Sequence, residues 1–570
     1  MNGVGGTAPR DNSTATTMPE TAGTQLLPTR VAIRAQAPHP VLQGLLALAV
    51  YLAVFIICYA APLLSHLGVP MIAQAYPDPD YYIWSWQWWP YAISHGLNPL
   101  YSAQIGAPAG YNLAWTTPTA AVGVLFSPVT ELFGPIVSFN LAVLLAAPVS
   151  AWAAFLAARR LTGRFGPALA AGAVYGFSWY EVHEVSVGQA NVCIVMLLPL
   201  MVYLALLWRD GKLRSAAFVA LLAVAMAAEF YVFNETFFWT TVLWAALLLI
   251  GFVVARPAWR PEIIRLAKLA GLAWVVSVVL ASPYLIYMLR HAPATFAKVQ
   301  PPPSLDLRDL VAPWPGIVLL VIALALAVFA WTSRLTRLLV IGFVLIVALA
   351  LGPVLVIAGR ARGQLPWELL WHLPFAVDSW PVRLITFANL LLAMIVAVWL
   401  ATPDRNRLLL ASRWILGLVA IAGIVAHLAA GSPDSAIPHT TATIRPAQAP
   451  LPAFFTSGEY RDYLRPGETV VVVSDRGNAG LLFQAYTDFF MRLSGGYINL
   501  AFTNPSALPA PVEALQRPTP ARERQFLAYA RQAGVGAVIV ERAWQAPWMN
   551  IFSRMRLEST AVGGVIIYRT

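Results

Sequence analysis

The stretch VLQGLLALAVYLAVFIICYAAP, residues 41–62, carries no charged side chain over its whole length. As a helix of about 1.5 Å rise per residue it measures roughly 33 Å, enough to cross a hydrocarbon core of about 30 Å. It is long for the core of a signal peptide, and no small-residue cleavage site follows it. It therefore reads as a retained first membrane span. The same length test finds ten further apolar segments, at about 136–157, 166–180, 190–208, 213–231, 233–254, 268–289, 314–332, 336–358, 383–402 and 414–430. The stretch 119–133 is also apolar, but Pro128 breaks it, and it reads as re-entrant or interfacial. The expectation is a multi-pass α-helical membrane protein of about eleven transmembrane helices.

Composition supports this. The chain has 570 residues, of which 59% are hydrophobic and 11% charged, and its mean hydropathy is +0.66. Soluble domains carry about 25% charged residues. So few charges cannot cover a soluble particle of this size, and lipid must do part of the solvation. The net charge of +11 would suggest nucleic acid in a soluble protein. Here the placement of the charges points to topology instead, and no nucleic-acid partner is expected.

With the N-terminus inside, the cytoplasmic segments hold 18 of the 37 basic residues and the outer loops hold six, Arg290, Lys298, Arg308, Arg360, Arg362 and Arg383. The long loop 63–135 holds none, and the remaining 13 lie in the C-terminal region. This asymmetry predicts a plasma (inner) membrane protein with a cytoplasmic N-terminus. An odd number of spans then puts the C-terminus on the extracytoplasmic side. Residues 1–40, rich in Thr, Ala, Pro and Gly, read as a disordered cytoplasmic tail, and 41–430 as the membrane bundle. Cys58 and Cys193 sit inside apolar stretches, so neither a disulfide nor a cysteine metal site is expected.

Residues 431–570 differ in kind. ETVVVVSD (468–475) reads as a buried strand and ARERQFLAYARQAG (521–534) as an amphipathic helix. VGAVIVE (535–541) and GGVIIYR (563–569) read as further strands. A small extracytoplasmic α/β domain follows. It has no Gly-rich phosphate loop, and a lid or docking role suits it.

The chemistry concentrates in the first outer loop, QAYPDPDYYIWSWQWWPYAISHGLNPLYSAQIGAPAGYNLAWTTPT (74–119). Pro77 and Pro79 are expected to hold Asp78 and Asp80 in an extended run. Carboxylates at a low-dielectric boundary acquire raised pKa values, which suits a general base for a hydroxyl. Two at this spacing also suit a divalent cation, Mg or Mn. Trp84, Trp88, Tyr91 and His95 recur at helical spacing, and make one face of a helix lying along the membrane surface. That face anchors the helix and can stack on sugar rings.

Other polar groups gather at helix ends: Glu181, His183 and Glu184 in SWYEVHEVSVGQAN (178–191), and Glu229 and Glu235 in AAEFYVFNE (227–235). Ionisable groups near a membrane core are costly and so are functional candidates. Glu235 is the stronger candidate, because Asn234 and Tyr231 can orient it. Arg290, Lys298 and Arg383 are placed to bind a lipid phosphate, Arg383 at the start of a helix.

These features resemble the C-type (GT-C) membrane glycosyltransferases. The likeness rests on a first span, an acidic outer loop (DPDYYIWSWQWWPYAISHGLNP) and an interfacial helix, followed by an apolar bundle and an outer C-terminal domain. LTGRFGPALAAGAVYGFSWY (161–180), running on into VGQAN, is similar to the same group. The resemblance implies a sugar donor linked to polyprenyl phosphate, and a glycan, lipid or protein acceptor. It implies a base or metal-ligand role for Asp78 or Asp80. A lipid-linked sugar flippase and a non-catalytic envelope assembly protein are the alternatives.

Overall fold

A computed structural model describes residues 3, 40–70, 78–292, 302–308, 314–370, 379–430, 451–474, 478–496, 508–542 and 545–570. The expected N-terminal tail and Lys298 lie outside them, apart from Gly3 and Pro40.

The chain is a polytopic helical membrane protein. Among the described residues, eight helices are long and apolar enough to cross a membrane: Pro40–Leu64, Pro135–Thr162, Ala190–Arg209, Ser215–Val232, Asn234–Val254, Pro257–Arg290, Pro381–Ala401 and Arg407–Ala429. Three of the eleven expected segments fall on shorter helices, Phe165–Gly176, Pro315–Ala330 and Arg334–Ala350. Pro381–Ala401 is the central helix, buried along most of its length.

Helix Phe165–Gly176 lies against Pro135–Thr162 through Gly172 and Gly176. A Cβ at Gly172 would sit 2.0 Å from the Tyr51 hydroxyl and 2.5 Å from the Ala151 carbonyl oxygen, and one at Gly176 would sit 2.5 Å from the Ala147 carbonyl oxygen. Four residues apart, the two glycines let the backbones approach, as small residues do between membrane helices. This helix ends earlier than expected. Ser178 accepts a hydrogen bond from the Glu181 backbone N–H (3.3 Å) and starts a separate helix, Trp179–Ser186. That break brings Glu181 and Glu184 into the protein interior.

Asp78 and Asp80 are not extended. They form the first turn of a helix, Asp78–Ser94, which we call the loop helix. Pro79 falls where its fixed φ suits a helix start and its missing N–H costs nothing. The positive end of the helix dipole favours both acids. The face of the loop helix that carries Trp84, Trp88 and Tyr91 is not left for lipid. It meets the C-terminal unit: the Phe489 ring lies 5.9 Å from Trp84, 5.5 Å from Trp88 and 4.6 Å from Tyr91. The buried Trp84 indole N–H finds its acceptor there, donating to Gln484 Oε1 at 2.7 Å. Beyond this helix, residues 119–133 form two short helices, Ala120–Leu125 and Ser127–Phe133, with Pro128 opening the second.

Among its described residues the C-terminal unit holds five strands: β1 (Thr469–Val473), β2 (Arg492–Leu493), β3 (Val535–Glu541), β4 (Ser559–Val562) and β5 (Val565–Arg569). Their order is β2-β1-β3-β5-β4. β1 runs parallel to β2 and β3, and β5 runs antiparallel to β3 and β4. Gly563 and Gly564, both at positive φ, make the two-residue turn between β4 and β5. Helix Pro520–Ala533 covers the sheet, capped by Thr519 and ended by Gly534 in the left-handed region. The first loop extends the sheet at the β2 edge. Leu493 N–H donates to the Gln104 carbonyl (2.8 Å), and Ala107 N–H donates to the Leu493 carbonyl (2.9 Å). The C-terminal unit is thus fastened to the loop that carries Asp78.

Candidate active site

Four elements meet at one end of the bundle: the start of the loop helix, helix Trp179–Ser186, the start of Asn234–Val254, and the start of Pro381–Ala401. They bring Asp78, Glu184, Glu235 and Arg383 into one electrostatic neighbourhood. The Arg383 charge acts on the Asp78 and Glu184 carboxyls, and Arg383 forms an ion pair with Glu235.

Glu235 is held on a second side, where the Trp380 backbone N–H donates to its Oε1 at 3.2 Å. The Arg383 guanidinium also lies 5.1 Å from the Phe233 ring centre and 5.8 Å from that of Trp380. These contacts fix its plane. Its side chain keeps 29% of its surface exposed, against 11% for Glu235. The arginine is therefore held but still open to a ligand.

Asp78 is held by a side-chain network. Gln189 Nε2 donates to Asp78 Oδ2 at 2.7 Å. Tyr82, one turn along the loop helix, donates its hydroxyl proton to Asn191 Oδ1 (2.7 Å), with Gln189 Oε1 3.2 Å from the same oxygen. Gly188 makes this approach possible: its φ is +68°, and a Cβ there would meet Pro79 Cγ at 3.0 Å. The other oxygen, Asp78 Oδ1, is buried and has no hydrogen-bond partner among the described residues. Burial pushes the Asp78 carboxyl above the ordinary carboxylate value, while the Gln189 hydrogen bond and the Arg383 charge pull it down. Burial pushes Glu184 up to about 7, again against Arg383. The Glu181 carboxyl is raised well above its usual value by burial and accepts a hydrogen bond from Thr386. His183 is pushed the other way, to about 4, so it is neutral at physiological pH.

Not every predicted residue converges here. His95 is exposed near the far end of the loop helix, about 25 Å from Asp78 at 1.5 Å per residue. Arg290 is exposed at the end of its span. Trp84 and Trp88 are enclosed by protein and line the joint with the C-terminal unit. Asp80 is buried in the loop helix. Two residues apart on a helix, Asp78 and Asp80 do not face each other, so they do not form a chelating pair. Among the described residues no group of three or more His, Cys, Asp and Glu gathers as metal ligands. Gln189, Asn191 and Tyr82 were not singled out from sequence. The available signal was their polarity inside the apolar surroundings of VGQAN and DPDYY.

The network makes a measurable prediction. Gln189→Leu removes a donor that favours the ionised Asp78, so the carboxyl pKa rises further. The acid limb of the pH–activity profile is expected to move to higher pH, with turnover at neutral pH reduced about tenfold. An unshifted limb in a stable variant would show that Gln189 does not tune Asp78.

An apolar cavity of about 230 Å³ opens between spans, along the same helix that carries Arg383. Val174, Phe177, Trp179, Leu319, Phe343, Ile385 and Ala388 line it, with Ser178 and Asn389 among its few polar groups.

No protein-family model matches the chain, and no curated protein matches it. Solved structures do. The arabinofuranosyltransferase AftD from Mycobacteria superposes on 92% of this chain with a TM-score of 0.54 at 15% identity. This chain spans only 41% of AftD's length. The archaeal oligosaccharyltransferase AglB from Archaeoglobus fulgidus, solved with an inhibitory peptide and a dolichol-phosphate, matches 92% of this chain and 74% of its own, with a TM-score of 0.50 and 11% identity. ArnT from Cupriavidus metallidurans, bound to undecaprenyl phosphate, matches 92% of this chain and 97% of its own, with a TM-score of 0.50 and 14% identity. The fold is that of the GT-C glycosyltransferases.

Proposed function

We propose that the protein transfers a sugar from a polyprenyl-phosphate-linked donor to an acceptor hydroxyl on the extracytoplasmic side. One observation carries this reading: a held, partly exposed Arg383 acting on a buried Asp78 that has one unpartnered oxygen. The acceptor is a glycan, a lipid or a protein. The three shorter helices complete a bundle of eleven spans over 41–430 in the plasma membrane, with a cytoplasmic N-terminus. Residues 431–570 form a domain on the same side as the site, because the loop helix carries both Asp78 and the face on which that domain packs.

The chemistry follows from the geometry. The acceptor oxygen attacks the anomeric carbon and the bond from that carbon to the phosphate oxygen breaks. Asp78 Oδ1 takes the hydroxyl proton. The departing polyprenyl phosphate gathers charge, and the Arg383 guanidinium meets it with parallel N–H donors. Glu235 aims Arg383, and Glu184 lines the site as a substrate contact. The prenyl tail lies in the apolar cavity, whose wall includes Ile385 and Ala388 of the helix that carries Arg383. His183 contacts substrate as a neutral imidazole. The buried, unpartnered Asp78 Oδ1 also fits a single ligand to Mg or Mn, with substrate phosphate completing the shell. Such a cation would add charge neutralisation at the leaving group, and no step above depends on it.

The direct test supplies purified protein with a polyprenyl-phosphate sugar and candidate acceptors, and measures released polyprenyl phosphate. Mass spectrometry of envelope glycans from a deletion strain identifies the missing sugar. Donor movement across a bilayer without bond cleavage would establish the flippase reading instead, and neither activity would leave an assembly role. A second prediction concerns the tail. Ala388→Phe narrows the cavity away from the reacting groups. It should raise the donor KM about tenfold with little change in kcat, because the lost binding is made equally in ground and transition states.

A further inference from the structure

Consecutive spans Asn234–Val254 and Pro257–Arg290 part company above their short turn. They leave a cleft of about 630 Å³, backed by Met201 and Met226 of two neighbouring spans. Its walls are apolar except for Thr240 and Thr241. The cleft lies toward the end of the bundle away from the active site: Glu235 begins the first of the two helices, and the turn follows Val254 about 30 Å further along.

Cations collect at the turn between the two helices. The Arg260 guanidinium lies 5.0 Å from the ring centre of Phe252, which lines the cleft. Arg260 Nε is buried and has no hydrogen-bond partner among the described residues. Arg256 and Arg337 lie close enough to act on the charge of Arg334, whose Nη1 donates to the Val254 carbonyl at 2.9 Å. Across residues 255–265 and 330–340 the sole carboxylate is Glu262. Trp259, 40% exposed, stands beside them, where aromatic side chains mark a membrane–water boundary.

We propose that this cleft binds one anionic phospholipid, with its phosphate at Arg260 and Arg256 and an acyl chain along the wall formed by Trp244, Leu248 and Gly271. An unsatisfied guanidinium N–H at the foot of an apolar slot asks for an acceptor attached to an apolar tail. The surplus of arginine over carboxylate selects an anionic head group over a zwitterionic one. The occupant is separate from the proposed sugar donor, whose phosphate sits at the opposite end of the bundle.

The test is native mass spectrometry of the full-length protein in detergent, with equimolar phosphatidylglycerol and phosphatidylcholine of matched acyl chains. The wild type should retain phosphatidylglycerol about tenfold more than phosphatidylcholine. Arg260→Gln should bring that ratio close to one, and Arg260→Lys should restore much of it. Ala245→Phe, which narrows the slot without touching a charge, should weaken both adducts. Equal retention of the two lipids by the wild type would overturn the proposal. So would an unchanged ratio in Arg260→Gln, unchanged adducts in Ala245→Phe, or a dimer filling the cleft. None of these readouts depends on glycosyl transfer.

Discussion

Asp78→Asn is expected to lower turnover by about 10²- to 10⁴-fold, the usual range for removing a positioned general base. The amide keeps the shape of the carboxyl and still offers an oxygen to Gln189 Nε2, so the network around Gly188 survives. It also removes a buried charge, so thermal stability should hold or rise. The loss therefore belongs to chemistry rather than folding. Asp80→Asn is the matched control, since it changes the next acid on the same helical turn. Its turnover should fall much less, because Asp80 leaves the helix in a different direction. Full activity of Asp78→Asn with correct membrane insertion would remove the base from the mechanism. A larger loss in Asp80→Asn would transfer the role to that residue. The pH profile adds a sign. A base works deprotonated, so activity falls as pH drops through the Asp78 pKa. Burial places that point above the ordinary carboxylate range.

Local periodicity and length were enough to locate the elements. Each of the eleven apolar segments overlaps a helix, although 336–358 runs on past Ala350 into a strand at Val354–Ile357, and 166–180 and 190–208 each cross a helix break. β1, β3 and β5 fall inside the stretches read as strands, and the amphipathic helix starts one residue before its stretch. Charge-free length is a property of one segment, so it can be read without the partner. The errors arose where tertiary contact decided. Pro77 and Pro79 suggested extension, but proline also opens helices, and the acids at a helix N-terminus tipped the choice. Trp84 and Trp88 looked like a membrane-facing stripe. An apolar stripe does not say what covers it, and here Phe489, some four hundred residues away, does so. Glu235 and Arg383 were both singled out, but for separate roles. Their pairing spans 148 positions and leaves no trace in local pattern. Gln189 was visible as a polar residue after a glycine, but only the fold places its amide on Asp78.

Removing the Arg383 charge should be the other large effect, and here stability and catalysis must be separated. Arg383→Gln strands Glu235, a carboxylate only 11% exposed, without its counter-charge. Breaking a buried pair from one side costs about 3–5 kcal/mol, and the partial exposure of Arg383 places this pair near the low end. Glu235→Gln strands the guanidinium, but that group can still reach solvent, so its penalty should be smaller. The double variant Arg383→Gln/Glu235→Gln leaves two neutral amides that can hydrogen-bond each other. It should recover most of the lost melting temperature. It should not recover turnover, because the departing phosphate still lacks its cation. That loss is expected at about 10²- to 10³-fold, the scale of removing one preorganised donor from a developing anion. Arg383→Lys keeps the charge but gives up the planar fork and the stacking on Phe233, so it should fall between. If the double variant regained both melting temperature and polyprenyl phosphate release, the pair would be a structural clasp. The leaving group would then have to be met by another cation.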